Sequence, residues 1–236
     1  MKSLAVLFIL TSHAVMGPSG EPTGLWMEEL TTPYYVLSEQ GVQIDIASIG
    51  GGSIPIDPRS LSDDTTKNPA SVNRFQNDAS AMEKIKNTPS VANIDLSKYD
   101  AVFLPGGHGT MFDLPVSKEL AAIISQAYQQ NKVVAAVCHG PAGLVAATGA
   151  DGQPIVKGKR VTGFTNSEEQ AVGLAAKVPF LLENRLRELG ATFVAGKDFD
   201  AHAVRDGNLI TGQNPASSEE VAYLMLEALK DATKQP

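Results

Sequence analysis

Cys138 is the only cysteine of the chain, and it ends an apolar run: Val133-Val134-Ala135-Ala136-Val137-Cys138-His139-Gly140-Pro141-Ala142-Gly143. The pattern predicts a buried strand that runs into a tight turn, with Pro141 placed to open a helix. Such a strand-to-helix turn pushes a side chain out at the carboxyl edge of the sheet, where open α/β folds bind their ligands. A helix starting there stabilises a thiolate and lowers the thiol pKa. Backbone amides of the same turn can hold a developing oxyanion. The implied chemistry is nucleophilic attack by sulfur. A free cysteine is more often a small buried hydrophobe. The adjoining histidine and the small residues around the turn set this one apart.

Two further segments carry chemistry. Val102-Phe103-Leu104-Pro105-Gly106-Gly107-His108-Gly109-Thr110 ends a second strand in a glycine-rich turn. Glycines let backbone amides approach a ligand closely. No Lys-Ser/Thr follows as in a phosphate-binding loop, so beside Cys138 the turn reads as a second source of oxyanion donors. Thr23-Gly24-Leu25-Trp26-Met27-Glu28-Glu29-Leu30 opens a helix. Adjacent side chains lie about 100° apart on a helix, so one glutamate points inward and the other to water. Glu29, three residues after Trp26, falls on the apolar side. Desolvation there raises a carboxyl pKa and suits it to acid/base work. The plainer alternative is a helix N-terminal glutamate favoured by the dipole.

Elements able to bring these segments together follow from the patterning. Strands are expected over 4–10, 42–48, 101–104, 133–137, 160–162 and 191–194. Helices are expected over 25–40, 117–131, 139–148, 167–173, 180–190 and 217–232. Their alternation implies right-handed crossovers and a parallel sheet. Residues 203–205 and 209–211 flank Asp206-Gly207-Asn208, a hairpin signal that adds antiparallel strands. Residues 50–99 break the rhythm with three glycines, four prolines and one weak helix around 79–86. They form either a surface excursion or a lid or dimer-contact insertion. No domain boundary is visible, so residues 1–236 are expected to form one domain with an insertion at 50–99.

Residues 1–16 outline a secretory signal, with one lysine before an apolar run. That run holds only seven apolar residues, and a first buried strand is the favoured reading. No stretch approaches the ~20 apolar residues of a membrane span. A cytoplasmic location follows as the expectation, one that keeps a lone thiol reduced. Composition narrows the rest. One cysteine among 236 residues makes neither an intrachain disulfide nor a thiolate zinc cluster. A formal charge of −7 disfavours nucleic acid, which calls for a basic face. A charged fraction of 19% and a mean hydropathy of −0.05 describe an ordinary folded chain. His13, His108, His139 and His202 show no metal-ligand spacing, so neither a metal nor an organic cofactor is expected.

Taken together, these motifs resemble the ThiJ/PfpI superfamily, with its flavodoxin-like, class I glutamine amidotransferase-type fold. The nearest branch holds the glutathione-independent glyoxalases and related heat-shock chaperones. The resemblance spans nearly the whole chain, through Thr11-Ser12-His13, the Thr23–Leu30 and Gly106–Asp113 segments, Ala135–Pro141, Thr162–Glu169 and Leu209–Ser218. It implies a three-layer sandwich with a nucleophile elbow at Cys138. Cys138 is then the nucleophile, His139 its acid/base partner and Glu29 the carboxylic acid touching the thiol. Glu169 is the acidic third member of the triad, with Glu168 the alternative should the register differ by one. The N–H groups of Gly107 and His139 form the oxyanion hole, and His108 has no assigned role. The implied activity is conversion of methylglyoxal to D-lactate by a glyoxalase III-type lyase (D-lactate dehydratase type) without cofactor, with deglycation as an extension. The implied assembly is a homodimer. Rival readings are a stress-related holdase or redox sensor, for which the sequence shows no extended apolar surface stretch, and a small cysteine peptidase or amidase.

Overall fold

The computed structural model describes residues 3–234. Lys2, part of the leader-like outline, therefore lies outside the described residues. The apolar run that follows it forms β1 (Ala5–Leu10), every residue of which is buried. Val6, Phe8 and Leu10 pack into one core layer, and Leu7 and Ile9 into the other. A strand covered on both faces has no polar alternation to display, which is why it mimics a signal core.

β2 (Val15–Met16) and β3 (Glu21–Pro22) pair as a short antiparallel ladder of their own. The central sheet continues with β4 (Gln43–Ser48), β5 (Ala101–Leu104) and β6 (Val133–Val137). It ends with the hairpin β9 (Ala203–Asp206) and β10 (Leu209–Gly212). Its order is β4-β1-β5-β6-β10-β9, parallel throughout except for β9. Phe8 of β1 stands opposite Phe103 of β5, and their rings meet edge to face at 4.8 Å.

Helix α1 (Met27–Ser38) and the C-terminal α8 (Ser218–Lys234) cover one face. Leu30, Leu37, Val221 and Met225 share the core layer that contains Phe8 and Phe103. Helices α5 (Lys118–Gln129) and α7 (Leu182–Glu188) cover the other with Leu120, Ile124 and Leu186. The short α4 (Thr110–Asp113) and α6 (Asn166–Ala171) stand near the carboxyl ends of the strands. This is the flavodoxin-like sandwich expected from the sequence. Among the described residues no helix is long and apolar enough to cross a membrane.

Three expectations need correction. The helix expected over 139–148 is a five-residue 3-10 turn, Gly140–Leu144. A side chain at Gly140 would place its Cβ 2.1 Å from the Leu104 carbonyl oxygen, so the turn is fixed by contact with β5. The strands expected at 160–162 and 191–194 are β7 (Arg160–Val161) and β8 (Thr192–Phe193). They pair with each other in a separate ladder, because β10 occupies the place beside β6. Residues 50–99 hold two helices, α2 (Ala70–Asn77) and α3 (Ala79–Lys86).

That insertion is built into the body of the protein. Lys84 donates to the Ile44 carbonyl at 3.0 Å, and the Ser48 amide to Pro89 at 3.0 Å, covering the outer edge of β4. Its beginning is stitched to the helix α1 entry: Leu25 N–H donates to Pro55 O at 2.8 Å and Asp57 N–H to Leu25 O at 2.9 Å. The approach is so close that a Cβ on Gly24 would meet Pro55 O at 2.2 Å, and one on Gly107 would meet Gly24 O at 2.2 Å. Gly107 also holds a φ of +99°, which only glycine adopts freely.

Candidate active site

Three segments remote in sequence converge at the carboxyl edge of the sheet. Cys138 leaves β6 with φ +60°, a left-handed conformation that costs a non-glycine residue roughly 1–2 kcal/mol. Its amide donates to Gly212 O at 2.9 Å, and its carbonyl accepts from Phe164 N–H at 2.8 Å. Those bonds to both flanks hold the elbow in place. The residue is 3% exposed.

The sulfur lies 3.3 Å from His139 Nδ1. His139 Nε2 lies 2.6 Å from Glu169 Oε2, and Glu169 Oε1 lies 2.8 Å from His108 Nε2. Burial opposes the charge on Glu169, but His139 and His108 outweigh it and hold the carboxyl below the ordinary carboxylate range. An ionised carboxylate only accepts, so both Nε2 atoms carry protons, and in the neutral tautomer of His139 its Nδ1 is the acceptor facing sulfur. Burial, then the neighbouring His139, pulls His108 down to about 4 against the attraction of Glu169. Neutral His108 presents its own bare Nδ1 to Arg59, 3.5 Å away.

Glu29 is fully buried and Glu28 half-buried. One Glu29 oxygen accepts the Gly106 N–H at 2.6 Å, while the other is buried without a hydrogen-bond partner. Its side-chain neighbour is the Cys138 thiol. Burial pushes the Glu29 carboxyl well above its usual range, against the pull of the thiol and the Gly106 amide. Both the burial and the unpartnered oxygen favour the protonated, neutral carboxyl. Burial also pushes the Cys138 thiol up, and a charged Glu29 would push it further. Retaining the Glu29 proton removes that second repulsion and leaves an O–H able to donate to sulfur. A thiol lowered by a helix N-terminus, expected from the sequence, is not what the surroundings impose: the following turn is too short to carry a large dipole.

The amides of Gly107 and His139 have no acceptor among the described residues, and both residues line a cavity of about 250 Å³ that opens onto Cys138. Glu168 and Glu169 have separate surroundings. Glu168 caps its own helix, accepting from Thr165 N–H at 3.0 Å, and takes further bonds from Phe199, Gln213 and Asn214. Of the two, Glu169 is the one bonded to His139. His202 stands before β9, where its amide donates to Ser217 Oγ at 3.1 Å.

Two site residues escaped the sequence reading. His108 joins the acid/histidine chain, and Arg59 lines the cavity from the insertion, tied to buried Asp57 by bonds of 2.9 and 2.5 Å. The glycine-rich turn marks His108 only as a neighbour of the site, and no local pattern marks Arg59. The ligand-capable atoms of His108, His139 and Glu169 lie within 4.8 Å of one another, a convergence that spacing along the chain hides. In this arrangement the carboxylate accepts hydrogen bonds from both Nε2–H groups.

One consequence of this geometry is measurable. Glu169→Gln replaces a double acceptor by a group with one acceptor and one donor, leaving one histidine with the wrong tautomer. A fall in kcat of about 10²–10⁴-fold is expected. Glu168→Gln should mainly lower the melting temperature, because it disturbs a buried hub of hydrogen bonds. Equal kcat losses in the two variants would contradict the division of labour.

A strained thiol on a strand-end elbow, backed by a histidine–carboxylate chain in a flavodoxin-like sheet, defines a class of α/β cysteine proteins. The chain belongs to the DJ-1/PfpI family, whose model matches residues 24–228. It is 36% identical over 237 residues to the glutathione-independent glyoxalase HSP31 of Saccharomyces cerevisiae, covering 96% of this chain and 98% of that protein. The crystal structure of glyoxalase III from Candida albicans is similar with a TM-score of 0.86 at 31% identity, covering 95% of this chain and 97% of that one. The Rapid Encystment Protein REP24 of Francisella tularensis gives a TM-score of 0.91 at 40% identity, covering 96% and 99%.

Proposed function

We propose that this protein is a glutathione-independent glyoxalase that converts methylglyoxal to D-lactate. The observation that carries the reading is the surroundings of one sulfur. Cys138 Sγ stands 3.3 Å from the bare Nδ1 of His139 and beside a carboxyl held protonated, beneath a cavity of about 250 Å³. The near full-length similarity to named glyoxalases supports the same chemistry.

In this reading His139 Nδ1 takes the thiol proton as sulfur adds to the aldehyde carbon. The C–S bond forms, and the carbonyl electrons become an alkoxide held by the amides of Gly107 and His139. Glu29 donates its proton to that oxygen, giving a hemithioacetal. The resulting base removes the hydrogen of the former aldehyde carbon, the electron pair moves to the neighbouring carbonyl, and protonated His139 gives its proton to that oxygen to form an enediol. Glu29 returns the proton to the second carbon from one face while the hydroxyl on the first carbon gives its proton to His139, which leaves a lactoyl thioester. Water then cleaves the thioester and Cys138 recovers its thiol. One carbon is oxidised and its neighbour reduced, so the sum is addition of one water with no external electron carrier.

Glu169 fixes the His139 tautomer and steadies its charge after proton uptake, and His108 shares that carboxylate. The substrate is a small uncharged dicarbonyl, methylglyoxal or glyoxal. A homodimer in the cytoplasm and a single domain spanning the chain complete the proposal. Arg59, brought to the cavity by the 50–99 insertion and held there by buried Asp57, makes that segment part of the catalytic unit. A glutathione-free assay that resolves lactate enantiomers tests the reading. D-lactate is the expected product; L-lactate or no turnover rejects it.

A further inference from the structure

The mechanism uses the polar groups of the cavity and leaves its apolar lining without a task. A cavity of about 250 Å³ has room for several water molecules, more than a three-carbon dicarbonyl displaces. Around the reactive groups the lining is apolar, built from Trp26, Phe164 and Leu174 with the exposed Val172 and Phe199. Phe199 is 48% exposed, and it stands at φ +61°. A bulky residue adopts that conformation only where its surroundings impose it.

What imposes it is a buried carboxylate. Glu168 Oε1 accepts the Phe199 N–H at 2.8 Å, and the same oxygen accepts Gln213 Nε2 at 3.1 Å and Asn214 Nδ2 at 2.9 Å. Those two amides grip the same loop on either side of Phe199. Gln213 Oε1 takes the Gly196 N–H at 2.7 Å, and Asn214 Nδ2 reaches Asp200 O at 2.8 Å. The Phe199 ring meets Phe164 at 6.4 Å, and Phe164 lies 4.5 Å from the His139 ring. A row of rings thus leads from the residue beside the nucleophile to the cavity mouth.

We infer that Phe199 is a specificity-determining residue: with Phe164 and Trp26 it receives the apolar substituent of a 2-oxoaldehyde, and the cavity favours 2-oxoaldehydes carrying alkyl or aryl groups larger than methyl. The inference rests on the glyoxalase reading and names its substrate class. Glu168 is then a positioning residue, acting through the loop it anchors. The solvent-exposed ring is explained as well, because a bound substituent covers it and gains the offset or edge contacts that aromatic groups prefer.

The test compares kcat/KM for glyoxal, methylglyoxal and phenylglyoxal in the wild type, Phe199→Gly and Phe199→Tyr. Glycine removes the ring and fits the positive φ without strain, while tyrosine keeps the ring. The wild type is expected to prefer phenylglyoxal to glyoxal. That ratio should fall about tenfold in Phe199→Gly, the change lying mainly in KM, and recover in Phe199→Tyr. A wild type that turns over glyoxal or methylglyoxal but shows no aryl preference overturns the inference and leaves the glyoxalase reading standing. So does an unchanged ratio in Phe199→Gly. Absence of turnover with every dicarbonyl in the wild type rejects both.

Discussion

Cys138→Ala is expected to lower glutathione-free turnover of methylglyoxal by about 10⁴-fold or more while the protein stays folded. The size follows from the chemistry. Without sulfur there is no hemithioacetal and no thioester, and the chain has no second cysteine to take over. The amides of Gly107 and His139 and the neighbouring glutamate remain, so a small residual proton exchange at the substrate can survive. Stability should change little. Alanine tolerates φ +60° no worse than cysteine, and the bonds that fix the elbow are made by the backbone to Gly212 and Phe164. Circular dichroism and the melting temperature check the fold, and an enantiomer-resolved lactate assay checks the activity. Retention of more than a tenth of wild-type turnover would exclude covalent catalysis by this residue.

The ease with which Cys138 stands out in the sequence has a physical source. An apolar run ending in a small-residue turn needs only local information, and the same is true of β1, β5, β6 and α5, where strand or helix patterns are continuous. Helix α2 had no such signal: Val72 and Phe75 are its only buried residues, among polar neighbours. At Gly140 the sequence favours a helix because Pro141 opens one well, while the obstacle, the Leu104 carbonyl, belongs to another strand. The same limit applies within the site. Glu29 was legible from its place on a helix face, and Glu169 only through resemblance to a family. His108 and Arg59 enter through long-range folding, one bonded to a carboxylate 61 residues away and the other carried in by the insertion. Local patterns describe elements; the joining of a turn, an insertion and a later helix at one sheet edge is a property of topology.

Glu29→Gln should sharply reduce turnover, by about 10²–10⁴-fold, and at the same time leave the protein as stable or more stable at neutral pH. The two effects have one cause. Glutamine keeps the shape and still accepts the Gly106 N–H, but it cannot move a proton between the two substrate carbons. Its effect on stability follows from the raised carboxyl pKa of Glu29 in the folded state. Below the ordinary carboxyl pKa the group is protonated both folded and unfolded, and folding carries no titration penalty. As the pH rises past that value the unfolded chain releases the proton while the folded protein retains it. Stability is lost over this window until the raised folded pKa is reached. Glutamine never titrates, so the melting temperature of Glu29→Gln relative to wild type should climb from pH 4 to pH 8. Glu28→Gln is the control: Glu28 is half-buried on the neighbouring helix position, its carboxyl is raised only by partial burial, and its activity should stay within about threefold of wild type. Thermal melts across this pH range, paired with steady-state kinetics, separate the outcomes. If Glu28→Gln loses the activity and Glu29→Gln keeps it, the acid/base group has been placed on the wrong glutamate. If Glu29→Gln is inactive but shows no pH-dependent gain in stability, the carboxyl is ionised in the folded protein and cannot serve as the proton donor to the hemithioacetal oxygen.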